Sequence, residues 1–115
     1  MVGKDRSVIV EIYSPWCGHC QNFHPTYEEL WDHYKSPQSE DFREDLVIAK
    51  LNGPNNRDIC AEFGIFGYPT IFIFGKENNV PISTFKGKGS RTLKNLISWA
   101  DTALSDDFVP EEFVI

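Results

Sequence analysis

The chain has 115 residues, 41% of them hydrophobic, and a formal charge of −6. One domain of this length can hold a sizeable core, and nine phenylalanines are available to fill it. The acidic balance argues against nucleic acid and anionic membrane as partners, and no apolar stretch approaches the roughly 18 residues of a membrane span. The opening Met1-Val2-Gly3-Lys4-Asp5-Arg6 carries no apolar signal region.

Residues 8–14 are apolar and β-branched, which predicts a buried strand. Glu11 is a carboxylate inside that strand, and its burial is expected to raise its proton affinity toward neutral pH. Trp16-Cys17-Gly18-His19-Cys20 follows at the strand-to-helix junction. Residues 17–35 predict a helix, with Phe23, Tyr27, Leu30, Trp31 and Tyr34 recurring at spacings of three and four. Pro25 lies inside it and is expected to bend it. A polar loop at 36–41 precedes a second apolar strand running from Leu46 to Leu51. Residues 52–56 form a turn, and a short helix ends at Phe63 with Gly64 as its C-cap. Residues 70–74 and 82–85 predict a hairpin around the turn 75–81. Ser90 is expected to cap a last helix reaching about Leu104, with Leu93, Leu96, Ile97 and Ala100 facing inward. Residues 1–105 then form one domain and 106–115 an acidic and apolar tail. The order β-α-β-α-β-β-α implies parallel crossovers first and an antiparallel hairpin last: an α/β fold with a mixed sheet and helices on both faces.

The motif with most chemistry is the cysteine pair. At a helix start Cys17 meets unsatisfied backbone N–H groups and the positive end of the helix dipole. Both favour a thiolate, the form that attacks disulfides. Three cysteines with one close pair are not a stapling framework, and Cys60 reads as a small buried thiol. A zinc site would need Cys17 and Cys20 to recruit distant groups such as His24 or Cys60, whereas zinc sites usually bring two close pairs, so no metal is expected. His24 and His33 read as solvated helix residues. The acidic pairs Glu28-Glu29, Asp106-Asp107 and Glu111-Glu112 read as solvated faces.

Taken with Pro25 and the later run Phe63-Gly64-Ile65-Phe66-Gly67-Tyr68-Pro69-Thr70, the stretch from Val10 to Cys20 resembles the thioredoxin fold, specifically a catalytic domain of the protein disulfide isomerase family. The resemblance covers about residues 8–104. It implies a thiol–disulfide oxidoreductase that forms, reduces or reshuffles disulfides in protein substrates without a cofactor. Cys17 matches the attacking cysteine, Cys20 its buried resolving partner, Glu11 the carboxylate below the dithiol and Lys50 the lysine that pairs with it. Arg91 matches an arginine that can approach the site. His19, near the thiolate, is implied to stabilise the reduced form and so to make the disulfide a better oxidant. Pro69 matches a cis-proline; Gly67, Tyr68 and Pro69, with Trp16 as an apolar rim, are implied to receive an extended peptide by main-chain pairing.

The implied partners are unfolded or partly folded cysteine-containing proteins, and glutathione or an upstream thiol oxidase. The implied compartment is the endoplasmic reticulum lumen. Close alternatives are the thioredoxin-like domain of a quiescin-type sulfhydryl oxidase and a redox-inactive peptide-binding chaperone module. The family begins with a strand and helix before Val8, where this chain has only seven residues. The sheet is therefore expected to lack its first strand and helix and to expose the strand from Leu46 to Leu51 as an edge. Self-association through that edge, or docking of the tail on exposed core, is expected in consequence. Phe66, where a polar residue is common, and His24, where a small apolar one is usual before the proline, depart from the family pattern.

Overall fold

Alternation of side chains across a strand puts Ile9 and Glu11 of β1 (Ser7–Tyr13) on one face, and Val8, Val10 and Ile12 on the other. The computed structural model describes residues 6–77, 79–86 and 91–111. After β1 come α1 (Gly18–Lys35), β2 (Leu46–Asn52), α2 (Arg57–Glu62), β3 (Thr70–Phe74), β4 (Ser83–Thr84) and α3 (Leu93–Ala103). The strands form one mixed sheet in the order β2-β1-β3-β4. β2 runs parallel to β1, and β3 antiparallel to both β1 and β4. β2 thus lies at one edge, as the family comparison of the sequence implies, and β4 lies at the other.

The two faces carry different layers. Ile9, Ile71 and Ile73 pack beneath Phe23, Tyr27, Leu30 and Tyr34 of α1 and Leu96, Ala100 and Ala103 of α3. On the opposite face Ile12, Phe72 and Phe74 pack with Cys60 of α2. A full turn-end motif closes α2: Gly64, at φ 65°, sends its N–H to Ala61, and the Ile65 N–H reaches Cys60. β4 has only two residues, yet flanking bonds from Ile82 N–H to the Ile73 carbonyl and from Phe85 N–H to Ile71 extend the hairpin over the predicted length.

Three expectations change. Trp31 stands 46% exposed. The buried stripe of α1 runs Cys20, Phe23, Tyr27, Leu30, Tyr34, and one further residue after Leu30 rotates about 100° out of that stripe. The cap of α3 is Thr92, whose side chain accepts the Asn95 N–H; Ser90 lies outside the described residues. His33 is half-buried, edge-on to the Tyr34 ring and 3.6 Å from an Asp41 carboxylate oxygen, rather than solvated. α1 itself continues through Pro25 without interruption.

The tail turns back on the domain. Phe108 packs against the α1–α3 core layer, and the Glu111 N–H bonds the Ile82 carbonyl at 2.8 Å. The Glu111 carboxylate accepts from the Ser83 hydroxyl at 2.6 Å, and Ser83 in turn accepts the Trp99 indole N–H. This docking is at the β4 side of the sheet, so the described tail leaves the β2 edge uncovered.

Candidate active site

The cysteine pair sits where β1 hands over to α1. Cys17 is the N-cap of α1: its backbone is extended, and its Sγ accepts the Cys20 N–H at 3.2 Å, filling one orphan donor of the helix start. Cys20, one turn in, falls on the buried stripe, and the resulting dithiol is asymmetric, with Cys17 half-buried and Cys20 5% exposed. All three cysteines are free thiols.

A second segment closes over the first. The Tyr68–Pro69 peptide is cis, and the Cys17 thiol donates to the Tyr68 carbonyl at 3.5 Å. Tyr68 is set in place by close packing, since its ring lies where a side chain on Gly53 would be, with Cε1 2.4 Å from an ideal Cβ at that position. A side chain at 53 would therefore have to displace the Tyr68 ring. The Tyr68 phenol is held above its ordinary range, first by burial and then by Cys60 beside it. Cys60 is buried, with its thiol 3.6 Å from the Gly53 carbonyl.

Below Cys20 is Glu11, 2% exposed. Its register neighbours are Lys50 on β2 and Ile71 on β3. Burial pushes the Glu11 carboxyl up to about 7, against the opposing charges of Lys50 and Arg91. Burial likewise pushes the Cys20 thiol up to about 11; its contact with Cys17 adds to this, and a negative charge on Glu11 acts in the same direction. Glu11 and the Cys20 thiol thus lie close enough for the charge of one to act on the other. A pocket of about 430 Å³, lined by Glu11, Ser14, Cys20, Gln21, His24 and Lys50 among others, connects this buried pair with solvent.

Comparison with known proteins fits this geometry. The thioredoxin family profile matches residues 1–102. The chain belongs to the thioredoxin family. Its relatives carry disulfide-isomerase names: it is 37% identical over 101 residues to "Probable protein disulfide-isomerase A6" of Medicago sativa, covering 88% of this chain and 25% of that protein. It is 38% identical over 98 residues to "Protein disulfide-isomerase" of Drosophila melanogaster, covering 85% and 18%. Among solved structures it matches the first thioredoxin domain of mouse protein disulfide-isomerase A4 with a TM-score of 0.71 and 30% identity, covering 97% of this chain and 72% of that one. This thioredoxin domain is thus one of the disulfide-isomerase type, and it spans about a quarter or less of the curated relatives it matches.

Within the thioredoxin domain the residues singled out from sequence fall into three groups. Cys17, Cys20, Tyr68 and Pro69 meet at the junction of α1 and the loop before β3, with Glu11 below Cys20. Trp16, His19 and Gly67 lie on the exposed rim, Trp16 at 79% exposure. Phe66 beside them is 98% exposed. Arg91 is exposed just before the Thr92 cap, and its charge reaches Glu11.

Lys50 departs from expectation. It is the register neighbour of Glu11 but forms no ion pair with it; its Nζ hydrogen-bonds His24 Nδ1 instead. An exposed side chain on an edge strand is free to choose its partner, and His24 on α1, lining the same pocket, offers it an acceptor. His24 is therefore a member of the site that the sequence reading set aside as solvated. The available signal was its departure from the small apolar residue usual before the helix proline.

Proposed function

We propose that this domain is a thiol–disulfide oxidoreductase acting on cysteines of unfolded or partly folded proteins through the Cys17–Cys20 dithiol. The observation that carries this reading is the placement of Cys17 Sγ between the Cys20 N–H and the Tyr68 carbonyl, at the point where helix start and proline loop meet. In the reducing direction the Cys17 thiolate attacks one sulfur of a substrate disulfide. A Cys17–substrate mixed disulfide forms, and the other substrate sulfur leaves as a thiolate that takes a proton from solvent. Cys20 then passes its proton to Glu11 and attacks Cys17 Sγ. The mixed disulfide breaks, a Cys17–Cys20 disulfide forms, and the second substrate thiolate departs. Two electrons have moved from the dithiol to the substrate, and the reverse sequence installs a disulfide.

Glu11 suits the relay because burial raises it toward 7 while Lys50 and Arg91 keep it ionisable. His19, on the exposed first turn, tunes the balance toward oxidation. The extended substrate pairs with the main chain at Gly67, Tyr68 and Pro69, a mode that reads no particular side chain. Trp16 and Phe66 offer apolar surface beside it. Glutathione or a thiol oxidase resets the dithiol, and the working compartment is the endoplasmic reticulum lumen.

Insulin reduction tests this reading. Cys17→Ser is expected to abolish turnover, and Cys20→Ser to accumulate mixed disulfides that alkylation and non-reducing electrophoresis reveal. Full turnover in Cys17→Ser, or limiting alkylation that labels Cys20 or Cys60 before Cys17, would refute it.

A further inference from the structure

The contact between His24 and Lys50 bridges α1 and the edge strand at the pocket above the buried carboxylate. Lys50 carries an ammonium group, which has donors and no acceptor, so His24 Nδ1 is the acceptor of their hydrogen bond. The ring proton of neutral His24 then sits on Nε2, 3.1 Å from the Glu28 carboxylate, one helical turn along α1. Glu28 thus orients the ring, and the ring orients Lys50. The Tyr13 ring centroid lies 6.0 Å from the same Nζ, on the β1 side.

The groups gathered here are Glu28 and Cys20 from α1, Glu11 and Tyr13 from β1, and Lys50 from β2; Arg91 acts on Glu11 from beyond them. Lys50 is exposed, and an unanchored lysine of that kind spends its rotamer freedom in water.

We propose that His24 is a positioning residue for the resolving step: by accepting a hydrogen bond from Lys50 it holds that ammonium at the pocket shared with Glu11 and so sets the proton affinity of the relay. The inference rests on the relay role given to Glu11 above. Coulomb attraction falls with distance: bonded to His24, the ammonium lines the same pocket as Glu11, whereas a free lysine on an exposed edge strand extends into water, so anchoring favours ionised Glu11. Ionised Glu11 is the form that can accept the Cys20 proton. The electrostatic influence of Lys50 on Glu11 is in keeping with this.

His24 is about half exposed, so substitution there leaves the core intact. His24→Phe keeps a ring as the pocket wall but removes the acceptor, whereas His24→Gln retains an acceptor oxygen. The experiment is a carboxyl carbon-13 NMR titration of Glu11 in the full chain, for both variants and for each variant combined with Lys50→Met. His24→Phe should move the Glu11 midpoint upward by about half a pH unit, and slow mixed-disulfide resolution at pH 7 about twofold. His24→Gln should keep the midpoint near the parent's, and neither variant should move it further once Lys50 is methionine. An unchanged midpoint in His24→Phe, or an equal shift without Lys50, overturns the proposal. A parent chain inactive toward insulin would refute the oxidoreductase reading, whereas the titration reads the hold of His24 and Lys50 on Glu11 independently of turnover.

Discussion

Replacing Glu11 by glutamine removes an ionisable group from a place where ionisation is unfavourable. Burial carries the carboxyl from its ordinary 4.5 to about 7. At any pH between those values the folded protein holds a proton that the unfolded chain has released. Stability therefore falls as pH rises through that window, and the loss is complete above the folded midpoint. A rise of that size corresponds to about 3 kcal/mol at alkaline pH and to nothing once both states are protonated. Glutamine has no such window.

The stability of Glu11→Gln minus that of the parent should therefore grow by about 3 kcal/mol between roughly pH 4 and pH 8. A constant offset from burying the amide adds to both ends and cancels in the comparison, as do the other titrating groups. Urea denaturation of the reduced proteins at several pH values measures it, with equal slopes in denaturant required for the two chains. In the same variant mixed-disulfide resolution should slow near neutral pH, because the amide cannot accept the Cys20 proton. Activity and stability would move in opposite directions, as expected where a buried charge is kept for function. A difference between the two proteins that is the same at both ends of the pH range would refute the linkage. Unaltered turnover would confine Glu11 to structure.

His19→Pro removes a ring able to carry positive charge from the turn that bears Cys17, and should make the Cys17–Cys20 disulfide harder to reduce at equilibrium with a glutathione buffer; an unchanged or more oxidising potential would count against it. Gly53→Ala would bring a methyl within 2.4 Å of Tyr68 Cε1, displacing the ring next to Pro69. It should lower stability by about 1–3 kcal/mol and slow exchange, while an unshifted urea midpoint would show that the ring moves aside freely. Phe108→Ala should destabilise the chain by about 1–2 kcal/mol through lost packing on the α1–α3 layer, and an unchanged Tm would mean that the tail contributes nothing to the fold.

Much of this molecule was legible from local pattern, because local pattern is what strands and helices respond to. The apolar, β-branched run 8–14 and the three-and-four spacing of Phe23, Tyr27, Leu30 and Tyr34 specify β1, α1 and the face that α1 buries. The junction of strand and helix at Cys17 was legible too, one residue before the helix itself begins, while the burial of Cys20 was implied by the family resemblance. Glu11 in an apolar strand announces a buried carboxylate.

Tertiary structure decided what depends on distance between elements. Register places Lys50 beside Glu11, and the path of α1 across the sheet supplies His24 as the acceptor at the pocket they share. No spacing within α1 reveals that partner, since 26 residues separate the two. The fit of Tyr68 onto Gly53 likewise exists only once the loop before β3 lies against the turn after β2. The tail could be read as apolar, yet its seat on the β4 side depends on Ser83 and Trp99 presenting partners that the chain assembles from β4 and α3. Side-chain chemistry was written residue by residue; which groups share a proton, a charge or a cavity was settled by the long-range packing that brings them within a few ångströms.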